Sequence, residues 1–157
     1  MAIYVTSDAH GHVRALDEVL SKISLTSDDT LYVLGDMIDR GPDPVGVIKL
    51  VRSLPNARVL KGNHEQIMLD AIVGQDPLDA ETWDINGGWT TREQLNDMEF
   101  EAYEELVRWM AALPLYAVVE TAERPYLLVH AGIQTEAARA FLLEHLSLIH
   151  ISEPTRP

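Results

Sequence analysis

The first seventy residues repeat one pattern three times, and this repeat is the strongest constraint on the fold. A short run rich in β-branched and aromatic residues is followed by a turn with glycine and polar residues, and then by apolar residues at helical spacing. The pattern predicts strands at Ile3–Thr6, Leu31–Leu34 and Ala57–Leu60, each followed by a helix. Because such βα alternation usually gives a parallel sheet covered by helices, the sequence predicts an α/β fold.

A second sheet is predicted from the later part of the chain. Helical spacing over residues 100–110 is followed by two strand-like runs, Tyr116–Glu120 and Tyr126–His130, and the short turn between them suits a hairpin. The chain has 157 residues, of which 46% are hydrophobic, and this is enough for one domain with a buried core.

Between these two parts, residues 74–98 are rich in turn formers, and their periodicity is weak. We expect an irregular insertion there rather than a new domain. Trp83, Trp89 and the turn at residues 86–88 fit either a rim on the substrate side or ordinary packing.

The charge and cysteine content narrow the class of partner. Lys and Arg number 12 against 25 Asp and Glu, a net charge of −13, whereas nucleic-acid binding depends on basic residues that neutralise phosphates. Cysteine is absent, which excludes disulfides and thiolate metal sites. No apolar run approaches the roughly 18 residues of a membrane span, and an aspartate at position 8 interrupts the region where a signal peptide is apolar. We therefore expect a cytoplasmic protein with neither nucleic acid nor membrane as partner.

Four polar clusters come directly after predicted strands. They read "SDAHG" at 7–11, "GDMIDRG" at 35–41, "KGNHEQ" at 61–66 and "HAG" at 130–132. Taken singly, each also has an ordinary explanation as a helix cap, a turn or a buried histidine, which is the stronger one for Asp8 with His10 and for His130 but the weaker one for "GDMIDRG". Together they lie on the edge where the carboxyl ends of parallel strands meet, and that edge is where ligands collect. Their oxygen and imidazole donors suit Mn²⁺, Fe or Zn²⁺ better than calcium, and their number favours two metals that share a carboxylate.

These clusters resemble the motifs of the calcineurin-like metallophosphoesterase superfamily and, within it, of the phosphoprotein phosphatase group of the small bacterial and phage type. The signature elements of that group are GDxHG, GDxxDRG and GNHE, followed by later histidines. The resemblance covers residues 3 to about 133. It implies two β-sheets packed as a sandwich and flanked by helices, incomplete at the C-terminus, with two divalent metal ions, of which Mn²⁺ is expected and Fe or Zn²⁺ are alternatives.

The resemblance also implies a set of metal ligands. Asp8 and His10 would bind the first metal, and Asp36 would bridge both metals. Asn63 and His130 would bind the second.

Catalysis and phosphate binding are assigned by the same resemblance. A hydroxide between the two metals would attack phosphorus, and His64 would protonate the leaving oxygen as general acid. Asp39 would orient His64. Substrate phosphate would be bound by Arg40, Asn63 and Lys61. Lys61 stands where close relatives commonly carry arginine, so it keeps the charge but loses the bidentate geometry.

Three functions are compatible with this resemblance. The favoured one is a protein serine/threonine phosphatase, whose partner is a phosphorylated protein or peptide. The alternative is symmetrical hydrolysis of dinucleoside polyphosphates such as diadenosine tetraphosphate, a group whose motif tends to end in GNHD, whereas Glu65 follows His64 here. The third is an inactive fragment with at most residual metal binding, because the family places another histidine and another arginine downstream of residues 130–132.

The last residues raise a separate expectation. The segment "LSLIHISEPTR", residues 146–156, is the translation of an oligonucleotide that resembles the adapter of transposase-based sequencing libraries. We expect the natural sequence to stop near His145, so that residues 1–145 are the N-terminal part of one metallophosphatase domain and residues 146–157 are a non-native tail. A natural reading frame that encodes this segment would contradict the expectation.

Overall fold

Twelve helices and strands follow one another in the parts of the chain that the structure, a computed structural model, describes. These parts are residues 2–74 and 76–132, and the backbone alone of 147–150. In chain order the elements are β1 (Ile3–Thr6), α1 (Val13–Ile23), β2 (Thr30–Val33), α2 (Pro44–Ser53), β3 (Ala57–Val59), α3 (Asn63–Val73), α4 (Pro77–Ile85), α5 (Trp89–Asn96), α6 (Phe100–Ala111), β4 (Tyr116–Glu120), β5 (Pro125–Val129) and β6 (Ser147–His150). No helix within these ranges has the length and apolar character needed to cross a membrane.

The first sheet is parallel, as the βα repeat predicts. Its order is β1-β2-β3, with Thr6 opposite Val33 and Val33 opposite Val59. The three strands therefore end at one edge, and the polar segments that follow them are brought together there.

The side chains of the central strand, β2, alternate between two separate hydrophobic cores. Leu31 and Val33 are buried against the helices, whereas Tyr32 and Leu34 pack with residues of the second sheet such as Leu128. This period of two is what a strand covered on both faces requires. Each fully buried leucine contributes about 2 kcal/mol from apolar burial alone. The sheet is thus fixed between a helical layer and a second sheet.

The second sheet contains the predicted hairpin. Strands β4 and β5 are antiparallel, with Tyr116 opposite Val129, and β5 begins one residue earlier than predicted. Strand β6 pairs in parallel with β5, with His150 opposite Val129. Strand β6 lies within residues 146–157. Its pairing does not show whether this tail is native, so the expectation of a non-native tail stays a prediction.

The prediction of an irregular insertion between residues 74 and 98 is wrong. Two helices, α4 and α5, occupy most of it. Helix α4 begins with Pro77 after an Asp76 cap whose side chain accepts a hydrogen bond from Leu78 N at 2.9 Å. Gly87, with φ 92°, turns the chain between the two helices. The pair Asp76-Pro77 is a typical start of a helix. The glycines and tryptophans that follow it are typical of turns and packing, and they hide the helical pattern.

Candidate metal centre

The predicted clusters meet at the carboxyl edge of the first sheet. Two groups of side chains each place three ligand atoms within 4.8 Å of one another: His10, Asp36 and His64 in one group, and Asp8, Asp36 and His130 in the other. Asp36 is common to both groups. Position 36 is also where the family resemblance implies a carboxylate shared by two metals.

The backbone at this edge is held in a conformation that L-residues seldom adopt. Six non-glycine residues of the described chain have positive φ, and five of them belong to the site: Asp8 (56°), His10 (40°), Asp36 (53°), Asp39 (68°) and Arg40 (65°). Each such residue costs roughly 1–3 kcal/mol, so the surrounding structure must hold it in place. The strained backbone lowers the local stability but fixes the directions of the side chains of the site.

Two glycines allow the loops to approach closely enough. At Gly35, where φ is 88°, an added Cβ would lie 2.3 Å from the backbone nitrogen of Gly62. At Gly41 it would lie 2.0 Å from the carbonyl oxygen of His10. Backbone contact between the loops therefore explains the glycines that begin and end the motifs.

Glu65 braces these loops from beneath. Its carboxylate is fully buried and accepts hydrogen bonds from the backbone amides of Asp36 (2.9 Å), Met37 (2.8 Å) and Gly62 (2.8 Å). Burial, with the neighbouring charge of Asp36, raises the pKa of Glu65. The residue after His64 in the motif thus fixes the backbone of these loops and is not a member of either group of candidate ligands.

Asp36 has one satisfied and one unsatisfied oxygen. Oδ1 accepts from the backbone amide of His64 at 3.0 Å and lies 3.4 Å from Nε2 of His130. Oδ2 is buried and has no hydrogen-bond partner among the residues that the structure describes. Burial acts to raise the pKa of Asp36, but the hydrogen bonds and charges of His130 and His64 outweigh it and hold the pKa below its usual range. The result is an ionised carboxylate with a free oxygen.

His130 faces oxygen atoms with both ring nitrogens. Nδ1–H donates to the carbonyl of Leu34, and Nε2 lies 2.8 Å from Oδ1 of Asn63. Burial lowers the pKa of His130, but the hydrogen bond and charge of Asp36 and the carbonyl of Leu34 raise it to about 9. Without a metal the ring therefore carries two protons, one of which a cation would displace.

Arg40 holds the imidazoles of His10 and His64 with one guanidinium. Nη1 lies 3.0 Å from Nε2 of His10, and Nη2 lies 2.9 Å from Nε2 of His64. His10 donates from Nδ1 to the carbonyl of Ile38 at 2.8 Å, so its Nε2 is an acceptor. Burial, reinforced by the charges of Arg40 and His64, lowers the pKa of His10. A neutral imidazole with a lone pair on the nitrogen that faces the centre is the form that ligates metals. The guanidinium of Arg40 lies between the two imidazoles, so a positive charge is tolerated at this place.

The predicted pair of His64 and Asp39 is present and fully buried. Nδ1 of His64 donates to Oδ2 of Asp39 at 2.7 Å, and both side chains have 0% exposure. Two further donors reach this carboxylate: Trp83 Nε1, at 3.0 Å from Oδ1, and Thr91 Oγ1, at 2.6 Å from Oδ1. Sequence reasoning missed both contacts. The sequence is compatible with Trp83 either at a substrate-side rim or in ordinary packing, and nothing near Thr91 in the sequence indicates its contact with Asp39.

Lys61 lies at the rim of the centre. Its Nζ donates to the carbonyl of Ala111 at 3.1 Å and lies 3.5 Å from Oε1 of Gln66. It lines a cleft of about 400 Å³ together with Asn63 and His130. The structure thus places Lys61 beside the centre, while its binding of phosphate stays a prediction.

The donors fit divalent cations. Besides Oδ2 of Asp36, Oδ2 of Asp8 is buried without a hydrogen-bond partner in the described ranges. A buried carboxylate oxygen without a donor is costly, and a hard cation relieves that cost. Carboxylate and imidazole donors without sulfur suit a metal such as Mn²⁺.

Comparison with known proteins supports the same chemistry. A family model described as calcineurin-like phosphoesterase matches residues 1–154. The symmetrical bis(5'-nucleosyl)-tetraphosphatase of Erwinia tasmaniensis is 32% identical over 136 residues, covering 85% of this chain and 45% of the relative. That of Proteus mirabilis is 33% identical over 138 residues, with the same two coverages of 85% and 45%. The chain therefore spans about half the length of the curated relatives that it matches.

The fold of the chain is similar to that of a solved structure. The crystal structure of a metallophosphoesterase from Sphaerobacter thermophilus is 27% identical, has a TM-score of 0.57, and is matched over 83% of this chain and 46% of that chain. With the family match, it confirms the predicted α/β fold class.

The prediction of a phosphorylated protein or peptide as partner is wrong. The two curated relatives are named for a dinucleoside tetraphosphate, a small molecule. The prediction used the GNHE ending to favour protein substrates, but Glu65 is buried and bonded to backbone amides. Its side chain braces the loop, and these contacts give no reason to prefer a protein substrate.

Proposed function

Since the chain belongs to the calcineurin-like phosphoesterase family, we propose that it acts in a metal-dependent hydrolase that cleaves dinucleoside tetraphosphates at their central phosphoanhydride bond. The observation that carries this proposal is the position of Asp36 in both groups of candidate ligands. The names of the two curated relatives support the substrate class. Symmetrical cleavage of a tetraphosphate yields two nucleoside diphosphates.

The metal part of the proposal rests on the free oxygens and the neutral imidazole. Proteins of this family use divalent metals, and we propose Mn²⁺ here, held by four residues of the two groups (Asp8, His10, Asp36 and His130). Asn63, whose Oδ1 lies 2.8 Å from Nε2 of His130, would complete the set. His64, the remaining member of the two groups, is assigned to the leaving oxygen instead. Bound divalent cations supply Lewis-acid polarisation of phosphate and acidification of water.

Arg40 is proposed to bind the phosphate oxygens next to the bond that breaks. Its side chain is exposed at the surface although its guanidinium contacts His10 and His64. A planar guanidinium matches two phosphate oxygens at once. Because the chain has a net charge of −13, local positive charge is needed to hold a polyphosphate. Lys61 at the cleft rim would add to it.

His64 is proposed to donate a proton to the leaving oxygen. The hydrogen bond to Asp39 holds one proton on Nδ1, so the donated proton would be a second one, carried on Nε2 of the imidazolium, whose positive charge the carboxylate of Asp39 balances. A departing diphosphate is stable as an anion near pH 7, because the last pKa of a phosphate group is about 6, whereas an alkoxide is not. Proton donation therefore helps this reaction less than it would help a phosphoserine ester.

The test compares substrates directly. The 157-residue chain with Mn²⁺ is incubated with diadenosine tetraphosphate and, in parallel, with a phosphoserine peptide, and the products are separated by chromatography. The proposal predicts ADP as the sole nucleotide product and slower release of phosphate from the peptide. Equal amounts of ATP and AMP, or faster turnover of the peptide, would contradict it. Asp36→Asn serves as the control for contaminating activity.

A further inference from the structure

The pair of helices α4 and α5 lies directly on the buried carboxylate of Asp39. We propose that Trp83 of α4 and Thr91 of α5 are positioning residues that hold Asp39 so that it presents His64 to the substrate with Nε2 outward. This inference rests on the role of His64 in the proposed function. It assigns a task to a segment that the sequence suggests is only irregular.

The carboxylate of Asp39 is held by side chains alone. Within the described ranges, Oδ1 accepts from Trp83 Nε1 (3.0 Å) and Thr91 Oγ1 (2.6 Å), while Oδ2 accepts from His64 Nδ1 (2.7 Å) and lies 3.2 Å from Trp83 Nε1. All four residues are buried. A buried carboxylate needs such donors to offset its desolvation, and hydrogen bonds to a charged group are the strong ones.

The backbone of Asp39 needs the same support. Its φ of 68° lies in the left-handed region, which a side chain disfavours. The amide of Asp39 donates to Thr91 Oγ1 at 2.9 Å, so this one hydroxyl accepts from the backbone and donates to the side chain of the same residue. Thr91 therefore fixes both where Asp39 is and where its carboxylate points.

The turn between the two helices holds the neighbouring residue. The amide of Arg40 donates to the carbonyl of Gly87 at 3.1 Å. A Cβ at Gly87 would come within 3.0 Å of Cγ of Arg40, and one at Gly88 would come within 2.2 Å of the Trp83 ring. The two glycines thus allow the turn to press against Arg40 on one side and Trp83 on the other.

Packing alone does not account for these contacts. Trp83 has 3% exposure and packs in the core beside the helices, a role for which an aromatic ring without an N–H would also serve. Its N–H, however, lies within hydrogen-bond distance of both oxygens of Asp39. Thr91 has 0% exposure, and a valine of the same shape would pack equally well without the hydroxyl. The polar atoms, rather than the volume, are the features that packing leaves unexplained.

The consequence concerns the tautomer of His64. With Asp39 fixed, the neutral ring keeps its proton on Nδ1 and turns Nε2 towards Arg40 and the cavity. If the carboxylate is free to rotate, the proton is shared between the two nitrogens, and Nε2 is less often the nitrogen that takes up the second proton and passes it to the leaving oxygen. Loss of such a supporting partner typically costs about 10-fold or more in activity.

Matched substitutions separate the polar role from packing. Trp83→Phe keeps an aromatic side chain but removes the N–H, Thr91→Val keeps the shape, and Thr91→Ser keeps the hydroxyl. The controls are Trp109→Phe, on α6, which makes the same change of ring elsewhere, and Thr82→Val, whose hydroxyl donates to the carbonyl of Leu78 at 2.7 Å. Circular dichroism verifies that each variant is folded, and Trp83→Phe and Thr91→Val test the inference independently.

Two readouts decide the result. In the metal-free protein, ¹⁵N NMR of labelled histidine reports the tautomer of His64. We expect the Nδ1–H form in the parent, in Thr91→Ser and in both controls, and a mixture in Thr91→Val and Trp83→Phe. With Mn²⁺ and diadenosine tetraphosphate, the same two variants should lose about 10-fold in kcat with KM little changed.

An unchanged tautomer in the folded Thr91→Val and Trp83→Phe variants would overturn the inference, whatever their activity. Failure of Thr91→Ser to restore the parent tautomer would overturn it as well. Because the NMR measurement uses no substrate, it separates this inference from the proposed function. A wrong substrate would leave the tautomer result intact.

Discussion

The two sides of the candidate centre are built differently. On one side, His64 and Asp39 are fully buried and bonded to each other, and Asp39 also accepts hydrogen bonds from Trp83 on α4 and Thr91 on α5. On the other side, His130 is brought in by the second sheet and is bound to the carbonyl of Leu34 in the first.

The second side is also the more open one. Asn63 is exposed and lines a cleft of about 400 Å³. The first side is therefore held by hydrogen bonds among buried side chains, whereas the second depends on how the two sheets pack against each other. We expect substitutions on the first side to change the chemistry, and those on the second side to change metal binding.

Asp36 joins the two sides, so its substitution should have the largest effect. Asp36→Asn removes the carboxylate that both groups of ligands share. We expect turnover with Mn²⁺ to fall by about 1000-fold or more, because several kcal/mol of charge stabilisation are lost. Steady-state kinetics with diadenosine tetraphosphate at increasing Mn²⁺ measures the effect. Recovery of the parent rate at saturating Mn²⁺ would contradict the shared role.

Asp39→Asn should distinguish the role of the first side in catalysis from the role of the second side in metal binding. The change removes the charge beside His64 but none of the atoms in the two groups of candidate ligands. We expect kcat to fall by about 100-fold, the lower range for general acid catalysis, with metal still bound. His130→Ala is the counterpart on the other side and should lose bound metal. Equal loss of metal in both variants, by isothermal titration calorimetry, would show that the sides are not distinct.

The two proposed histidine ligands, His130 and His10, should differ in how many protons they carry when no metal is bound. The pKa of His130 is about 9 without metal, whereas that of His10 is lowered by burial. Metal binding below pH 9 must then release a proton from His130, and the affinity for Mn²⁺ should rise about tenfold per pH unit between pH 7 and 9. Calorimetry in two buffers with different ionisation enthalpies gives the number of protons released. No release from the parent protein, or the same release from His130→Asn, would contradict this assignment.

The same raised pKa makes the stability of the metal-free fold depend on pH. A raised pKa means that the folded chain binds the proton more tightly than the unfolded chain. The stabilisation from the pair of His130 and Asp36 is thus fully present below about pH 6.5, the ordinary histidine value, and is lost as the pH rises through about 9. Urea unfolding at pH 6 and pH 10 should show the loss, and it should shrink in His130→Asn.

The smallest effect is expected at the rim of the cleft. The amine of Lys61 contacts only Ala111 and Gln66 within the described residues, so its charge acts on substrate through solvent. Lys61→Ala should raise KM by about threefold, as an exposed charge contributes less than 1 kcal/mol, and Lys61→Arg should restore it. A change in kcat rather than in KM would place Lys61 nearer to the chemistry.

The sequence predicts the first side of the comparison only in part. The loops after β1, β2 and β3 follow from strand periodicity and from glycines that permit loop contact, so Asp36 and His64 can be placed without a structure. The contacts of Trp83 and Thr91 with Asp39 span 44 and 52 positions. No local pattern encodes contacts over such distances.

The error about the substrate has a physical origin as well. The residue used to distinguish protein from dinucleotide substrates, Glu65, is buried and holds backbone amides. A residue that contacts no substrate does not report on its size or chemistry. Residues of the open cleft, such as Asn63 and Lys61, are better placed to do so.

The central claim is that Asp36 is shared by two cations, and low-temperature electron paramagnetic resonance of the Mn²⁺-loaded chain tests it most directly. Two Mn²⁺ ions that share a carboxylate are coupled and give a spectrum distinct from that of single ions. We predict a coupled spectrum at two equivalents of Mn²⁺ in the parent protein and its loss in Asp36→Asn. Single-ion spectra at every ratio in the parent, or a coupled spectrum that survives in Asp36→Asn, would contradict the claim.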